Sequence, residues 1–303
     1  MPGPPLGCDT GAVADRSWLI DRALALDLAA ALGWSPDDGV PALAALLPAR
    51  VPCGSTAKLA AMDAGEVPPG SDPEAIARRI LDHLAALASA PAGGAPSPSW
   101  SCWVLATVMA ALVETSGLGA TRVAATRRID DRSPVVDFHS SVLVDGSGPT
   151  GHETWLCDPY FGTALTMPTD PGGATEVTLT GRRARVALEE EGRWTLEVAL
   201  ARWSSGLRYR VFAPVLDRGD VHALCAVSVS HSGVPSRPYA RLHGAEGVLD
   251  VREDDVGAGV VADWRWPGRA EPAGRRLGTT TTVHLCWAEA ADTFADRTGV
   301  RIV

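Results

Sequence analysis

Apolar residues recur at helical spacing through SWLIDRALALDLAAALGW, Ser17–Trp34, and the run stops at Gly33, which predicts a helix ended by a glycine. A second helical run, DPEAIARRILDHLAALAS, opens with Asp72 as an acidic cap and Pro73 in its first turn, where a proline costs no hydrogen bond. Between the two, VPCGSTAKLAAMDAGEVPPGS (51–71) carries no period and reads as irregular. The Pro/Gly/Ser segment APAGGAPSPSW (90–100) reads as a connection too flexible to pack as a regular element. From Cys102 to about Ser116 the chain is apolar nearly all round, with Gly117 and Gly119 stopping it. A helix without a polar face belongs in the middle of a protein.

Beyond that helix the period changes from helical to alternating. TRVAATRRI, VVDFHSSVLVD and TWLCDPYFG read as strands. So do TEVTLTGRRARVALEE, RWTLEVAL, LRYRVFAP, VHALCAVSVS, GVLDVRE and TTTTVHLCW, punctuated by Gly, Pro and Asp. The run RWPGRAEPAGRRLG (265–278) reads as a solvated loop. A helical front followed by a strand-rich back, with a barrel or sandwich, makes the fold class α+β.

The 303 residues are enough for two or three subdomains around substantial cores. A hydrophobic content of 46% with 21% charged residues fits an ordinary soluble globular protein. The formal net charge of −9 argues against a nucleic-acid partner, since binding phosphates requires a basic surface. No apolar run reaches membrane-spanning length, and MPGPPLGCDTGAVADRSW has neither a basic nor an apolar leader region. A cytoplasmic protein without a membrane partner is expected. Six cysteines are spread thinly with no CxxC pair, so neither a disulfide framework nor a metal site is expected.

Three residues invite a joint reading: Cys102 at a helix start, His139 in a strand and Asp158 in the next strand. A thiolate at a helix N-terminus is favoured by the helix dipole and by unpaired backbone N–H groups. A cysteine nucleophile needs a base, and the base needs a group to orient it. In VVDFHSSVLVD, Val136, Phe138, Val142 and Val144 share one face, while Asp137, His139, Ser141 and Leu143 share the other. The segment DGSGPTGH (145–152) is rich in turn formers. If Val144 pairs with Glu153 across it, His139 lies directly opposite Asp158. Cys157, alternating away from Asp158, reads as core. Trp100 and Trp103, flanking the cysteine, are candidates to line an acyl or amine pocket, and the Cys102 backbone N–H is a candidate oxyanion donor. For each residue alone the plainer alternative is structural: a buried thiol, a solvated histidine, an Asp-Pro turn, core tryptophans.

The order of cysteine at a helix start, histidine on a strand and aspartate on the next strand resembles the transglutaminase-like superfamily. Within it the chain most resembles the arylamine N-acetyltransferases. DFHSSVLVD is similar to their histidine strand, WLCDPYFG to their aspartate strand, and LRYRVFAP to a strand of their later barrel. Around the cysteine, PSWSCWVLA is closer to the Cys-Trp start of transglutaminase cores. The resemblance implies three parts: a helical subdomain with the nucleophile helix (1–120), a β-barrel subdomain carrying the histidine and aspartate (121–225), and a C-terminal α/β or β subdomain (226–303).

It further implies a cysteine acyltransferase with Cys102, His139 and Asp158 as catalytic residues. The acyl donor is a CoA or acyl-carrier-protein thioester, the acceptor a small-molecule amine, and no cofactor is bound. Amide formation in small-molecule biosynthesis is as consistent with the motif as xenobiotic acetylation. A transglutaminase-like hydrolase or peptidase with the same triad, or a non-catalytic relative, is the alternative.

Overall fold

The computed structural model describes residues 20–63, 73–89, 95–128, 138–148, 151–179, 182–190, 194–200, 207–214, 239–244, 247–253, 260–271, 274–284, 287–298 and 300–302. The first predicted helix is α1 (Arg22–Leu32). Asp21 caps it by accepting from the Ala23 N–H at 2.6 Å, and Gly33 ends it at a φ of 74°, a left-handed cap that glycine adopts without strain. Helix α2 (Val40–Arg50) has Pro41 in its first turn and Pro48 inside it. Two prolines in eleven residues conceal this helix from a periodicity reading. Pro41 costs no hydrogen bond in the first turn, and burial of Leu43, Ala44 and Leu47 holds the helix in spite of Pro48.

The stretch expected to be irregular contains β1 (Cys53–Gly54) and α3 (Thr56–Asp63). Helix α4 (Pro73–Ser89) runs where predicted and buries Ile76, Ala77, Ile80 and Leu84. The Pro/Gly/Ser connection also holds regular structure, because β2 (Ala95–Ser97) pairs in parallel with the final strand, β15 (Val300–Ile302). Helix α5 (Cys102–Thr115) is buried at every residue from Trp103 to Val113. It packs against α1, α2, α4 and two strands, β3 (Gly119–Arg128) and β4 (Phe138–Gly148).

Those strands belong to an antiparallel sheet of eight. The remaining six are β5 (Gly151–Asp158), β6 (Thr163–Thr166), β7 (Ala174–Leu179), β8 (Arg182–Leu188), β9 (Trp194–Leu200) and β10 (Leu207–Pro214). Their order is β6-β5-β4-β3-β10-β9-β8-β7. The outer strands β6 and β7 come together, and the Thr175 hydroxyl donates to the Thr166 carbonyl. No backbone ladder joins them among the described residues. The expected barrel is therefore a strongly curled open sheet whose edges meet through a side chain.

The strand alternation separates two cores. Ala120, Ala124, Val142 and Val144 face the helices, while Val123, Ala125, Leu156, Val186 and Leu196 fill the curl of the sheet. A second antiparallel sheet contains β1, β11 (Tyr239–Gly244), β12 (Gly247–Glu253), β13 (Val260–Glu271) and β14 (Gly274–His284), with α6 (Trp287–Thr298) packed on it. Within the expected loop at 265–278, residues 265–271 belong to β13 and 274–278 to β14, which pair antiparallel. VHALCAVSVS lies outside the described residues. Among the described residues no helix is long and apolar enough to cross a membrane.

Leu28 is fully buried, whereas Leu26, two residues away, is 49% exposed. Leu28→Ala should therefore cost about 2–5 kcal/mol and Leu26→Ala less than about 0.5 kcal/mol. Denaturant unfolding of the two variants checks this, and equal losses would contradict the assigned face of α1.

Candidate active site

Cys102 is the first residue of α5, half-buried ahead of the buried run from Trp103 to Val113. Its N-cap, Ser101, makes no side-chain capping bond, and its carbonyl accepts from the Val104 and Leu105 N–H groups, both at 3.1 Å. The residues leading to it are pinned. Trp100 N–H donates to the Pro52 carbonyl at 2.8 Å, and Gly54 N–H donates to the Trp100 carbonyl at 2.8 Å. One residue earlier, Ser99 and Thr56 lock together in the interior. Ser99 N–H donates to Thr56 Oγ1 at 2.7 Å, and Thr56 N–H donates to Ser99 Oγ at 3.0 Å. A proline-rich approach is thereby converted into a fixed ledge beneath the cysteine.

His139 and Asp158 are both buried and bonded to each other, His139 Nε2 to Asp158 Oδ2. The ladder that brings them together differs from the expected one. Val144 pairs with Trp155, and Val142 with Cys157, a two-residue shift from the Val144–Glu153 register. A shift of one would have turned every side chain to the opposite face, but a shift of two preserves the faces. Continued by one step, the ladder sets Ser141 opposite Asp158 and leaves His139 on the diagonal. Diagonal Cα atoms lie about 7–8 Å apart, still within reach of a histidine and an aspartate. Ser141 uses its position, donating from Oγ to Asp158 Oδ2 at 3.0 Å.

The other carboxylate oxygen is held by the chain just beyond it. Asp158 Oδ1 accepts from Tyr160 N–H at 3.1 Å and from Phe161 N–H at 3.0 Å. The DPYFG sequence produces this locally: aspartate folds back onto amides two and three residues ahead, and Pro159 competes with no N–H of its own. Gly162, at a φ of 65°, turns the chain into β6. The rings of Tyr160 and Phe161 pack against the His139 imidazole, with centroids 5.9 and 5.2 Å away.

Cys102 acts on His139 as well, through its charge and a side-chain hydrogen bond. Burial by itself pulls the imidazole pKa down. The charges of Asp158 and Cys102, with hydrogen bonds to both, outweigh it and hold His139 well above its ordinary 6.5. Cys157, on the same strand as Asp158, stands in contrast: burial and then the Asp158 charge push its thiol far up, as befits an inert core residue. The sequence pattern thus brings Cys102, His139 and Asp158 together in space. Trp100 and Trp103, 1% and 5% exposed, pack in the helical core on either side of the cysteine.

No protein-family model and no curated protein sequence matches the chain. Solved structures do. An arylamine N-acetyltransferase of Nocardia farcinica superposes with a TM-score of 0.63 at 14% identity, covering 96% of this chain and 94% of that one. That of Mycobacterium marinum, solved in complex with CoA, gives 0.63 at 13% identity over 91% and 92%. A Bacillus cereus arylamine N-acetyltransferase, described as having a unique Cys-His-Glu catalytic triad, gives 0.60 at 14% identity over 92% and 98%. The chain has the arylamine N-acetyltransferase fold. The resemblance seen in the strand motifs therefore extends to the whole architecture.

Several residues that support this site in the arylamine N-acetyltransferase fold escape a sequence reading. Ser141 carried a signal, since it alternates onto the His139 face. Thr56 and Ser99 meet across 43 residues, a pairing without local pattern. Cys53 and His243 reach the Tyr160 carbonyl from still more distant segments.

Two predictions follow from the carboxylate's surroundings. Ser141→Ala removes a hydrogen bond to a buried charge and should lower unfolding stability by about 1–3 kcal/mol. A change below about 0.3 kcal/mol would argue against the Asp158 contact. His139 should titrate above 6.5 by nitrogen NMR, because its raised native pKa favours the protonated form in the folded state. The stability this brings is complete below the unfolded imidazole value and is lost as pH rises through the native one. Asp158→Asn and Cys102→Ala should each lower the midpoint. An unchanged midpoint in both would contradict the charge coupling.

Proposed function

We propose that the chain is a cysteine acyltransferase that moves an acyl group from a thioester to an amine through an acyl-enzyme on Cys102. The observation that carries the reading is the buried His139, hydrogen-bonded to Asp158 and coupled to Cys102 at the start of α5. A thiol, an imidazole and an orienting carboxylate in series are the requirements for nucleophilic acyl transfer.

In this mechanism the cysteine sulfur attacks the thioester carbonyl, its proton residing on His139. The Cys102 backbone N–H, at the N-terminal tip of α5, serves the developing oxyanion. The tetrahedral intermediate expels the donor's thiolate, which takes the proton from the His139 imidazolium. The neutral imidazole then removes a proton from the incoming amine as it attacks the acyl-enzyme. Collapse forms the amide and returns Cys102, with His139 again protonated. Asp158 holds the ring in place throughout.

Acyl-CoA is the favoured donor, supported by the CoA complex of the Mycobacterium marinum enzyme with the same fold; an acyl-carrier-protein thioester would enter the same chemistry. A small amine is the acceptor. Trp100 and Trp103, packed in the helical core, back the nucleophile from that side. The Ser-Trp-Ser-Cys-Trp setting fits amide synthesis on a biosynthetic intermediate as well as acetylation of an arylamine.

Intact-mass spectrometry after exposure to a panel of acyl-CoA and acyl-pantetheine thioesters tests the reading. One acyl mass should appear on the wild type, none on Cys102→Ala, and Asp158→Asn should acylate about 10³–10⁴-fold more slowly. Absence of any thioester adduct, with peptides labelling Cys102 instead, would establish the transglutaminase-like hydrolase.

A further inference from the structure

The carbonyl of Tyr160, two residues past Asp158, is a meeting point for three parts of the fold. His243 Nε2 lies 3.1 Å from it, and Cys53 Sγ lies 3.4 Å from it, its single proton shared with the Arg241 carbonyl at 3.3 Å. His243 stands on β11 of the second sheet. Cys53 stands on β1, paired with Arg241 of that same strand. Tyr160 belongs to the turn leaving β5 of the curled sheet. Both His243 and Cys53 are buried, at 2% and 0% exposure. A carbonyl oxygen carries no proton, so Nε2 holds the hydrogen and His243 is the donor.

What distinguishes this contact from an ordinary satisfied core histidine is the peptide group it grips. The Tyr160 carbonyl and the Phe161 N–H are opposite ends of one planar amide. That N–H donates to Asp158 Oδ1 at 3.0 Å. Fixing the carbonyl end fixes the N–H end. Drawing charge toward the oxygen also makes the N–H a stronger donor, an effect that builds along hydrogen-bond chains in a low-dielectric interior. The chain is continuous: His243 to the Tyr160–Phe161 peptide, then Asp158, His139 and Cys102.

We propose that His243 is a positioning residue for the candidate triad, acting through the Tyr160–Phe161 peptide on Asp158. The second sheet thereby tunes the nucleophile without touching it. The proposal takes its catalytic meaning from the acyltransferase reading, but its test needs no acyl donor.

The test is the rate of Cys102 alkylation by iodoacetamide at neutral pH, resolved from the other cysteines by peptide mass mapping. His243→Leu should slow alkylation about ten-fold, as expected for coupled neighbours in one network. His243→Gln, whose amide nitrogen can occupy the place of Nε2, should stay within about three-fold of the wild type. In an Asp158→Asn background the leucine substitution should add nothing, because the path it acts through is already broken. If His243→Leu does not fold, His243→Asn, polar but too short to reach the carbonyl, takes its place with the same expectation.

The proposal is overturned by wild-type alkylation in the His243→Leu protein. Slowing that glutamine does not rescue, or a full ten-fold effect that persists in Asp158→Asn, overturns it as well. Loss of thioester acylation with these alkylation results intact strikes the acyltransferase reading alone. Normal acylation with a silent His243 strikes this proposal alone, and a Cys102 inert to iodoacetamide in the wild type overturns both.

Discussion

Asp158 is a carboxylate with no exposure to water, and much of the site's construction answers that one burden. A buried charge without partners costs several kcal/mol, roughly enough to unfold a marginal domain. Four donors meet it here: the His139 imidazole and the Ser141 hydroxyl at Oδ2, and the Tyr160 and Phe161 amides at Oδ1. Each donor demands something of the fold. Ser141 requires the observed register of β4 on β5. The two amides require the Asp-Pro turn, and the turn requires Gly162 to leave it. The turn in turn is seated on Cys53 and His243, so the second sheet is drawn into the same network.

The nucleophile is held by a different principle. Helix α5 is packed on all sides, and an apolar rod fixed by its neighbours cannot rotate its first residue away. The Thr56–Ser99 lock fixes the approach to that residue. The same helix hides a polar contact, Thr107 accepting from Arg122 while donating to the Trp103 carbonyl at 2.8 Å, so even its interior hydroxyl is satisfied. Cys102 and Cys157 show how placement decides chemistry. The first stands at a helix N-terminus beside an imidazole; the second lies buried beside a carboxylate that discourages its ionisation.

The parts legible in the sequence were those with local cause. Alternation placed His139 and Ser141 on one face, the uninterrupted apolar run marked α5, and DPYFG announced the turn that follows Asp158. Because the strand period is two, the triad geometry survived a register expectation that was two residues off. What escaped had non-local cause. Helix α2 forms against Pro48 because its face is buried. Strand β2 forms in a Pro/Gly/Ser segment because β15, some two hundred residues later, supplies its partner. The curled sheet stays open because β6 and β7 meet without a ladder, which strand propensities do not encode. His243 is invisible to any local pattern, since its significance lies in a carbonyl 83 residues away.

The central claim is that a cysteine held by this carboxylate-anchored histidine carries the acyl group between donor and acceptor. Stopped-flow measurement of thiol release from an acyl-CoA in the absence of amine tests it most directly. The account predicts a burst of about one thiol per protein followed by slow turnover, the kinetic mark of an acyl-enzyme waiting for its acceptor. Linear release from the first instant, or release that begins only when amine is added, would contradict it.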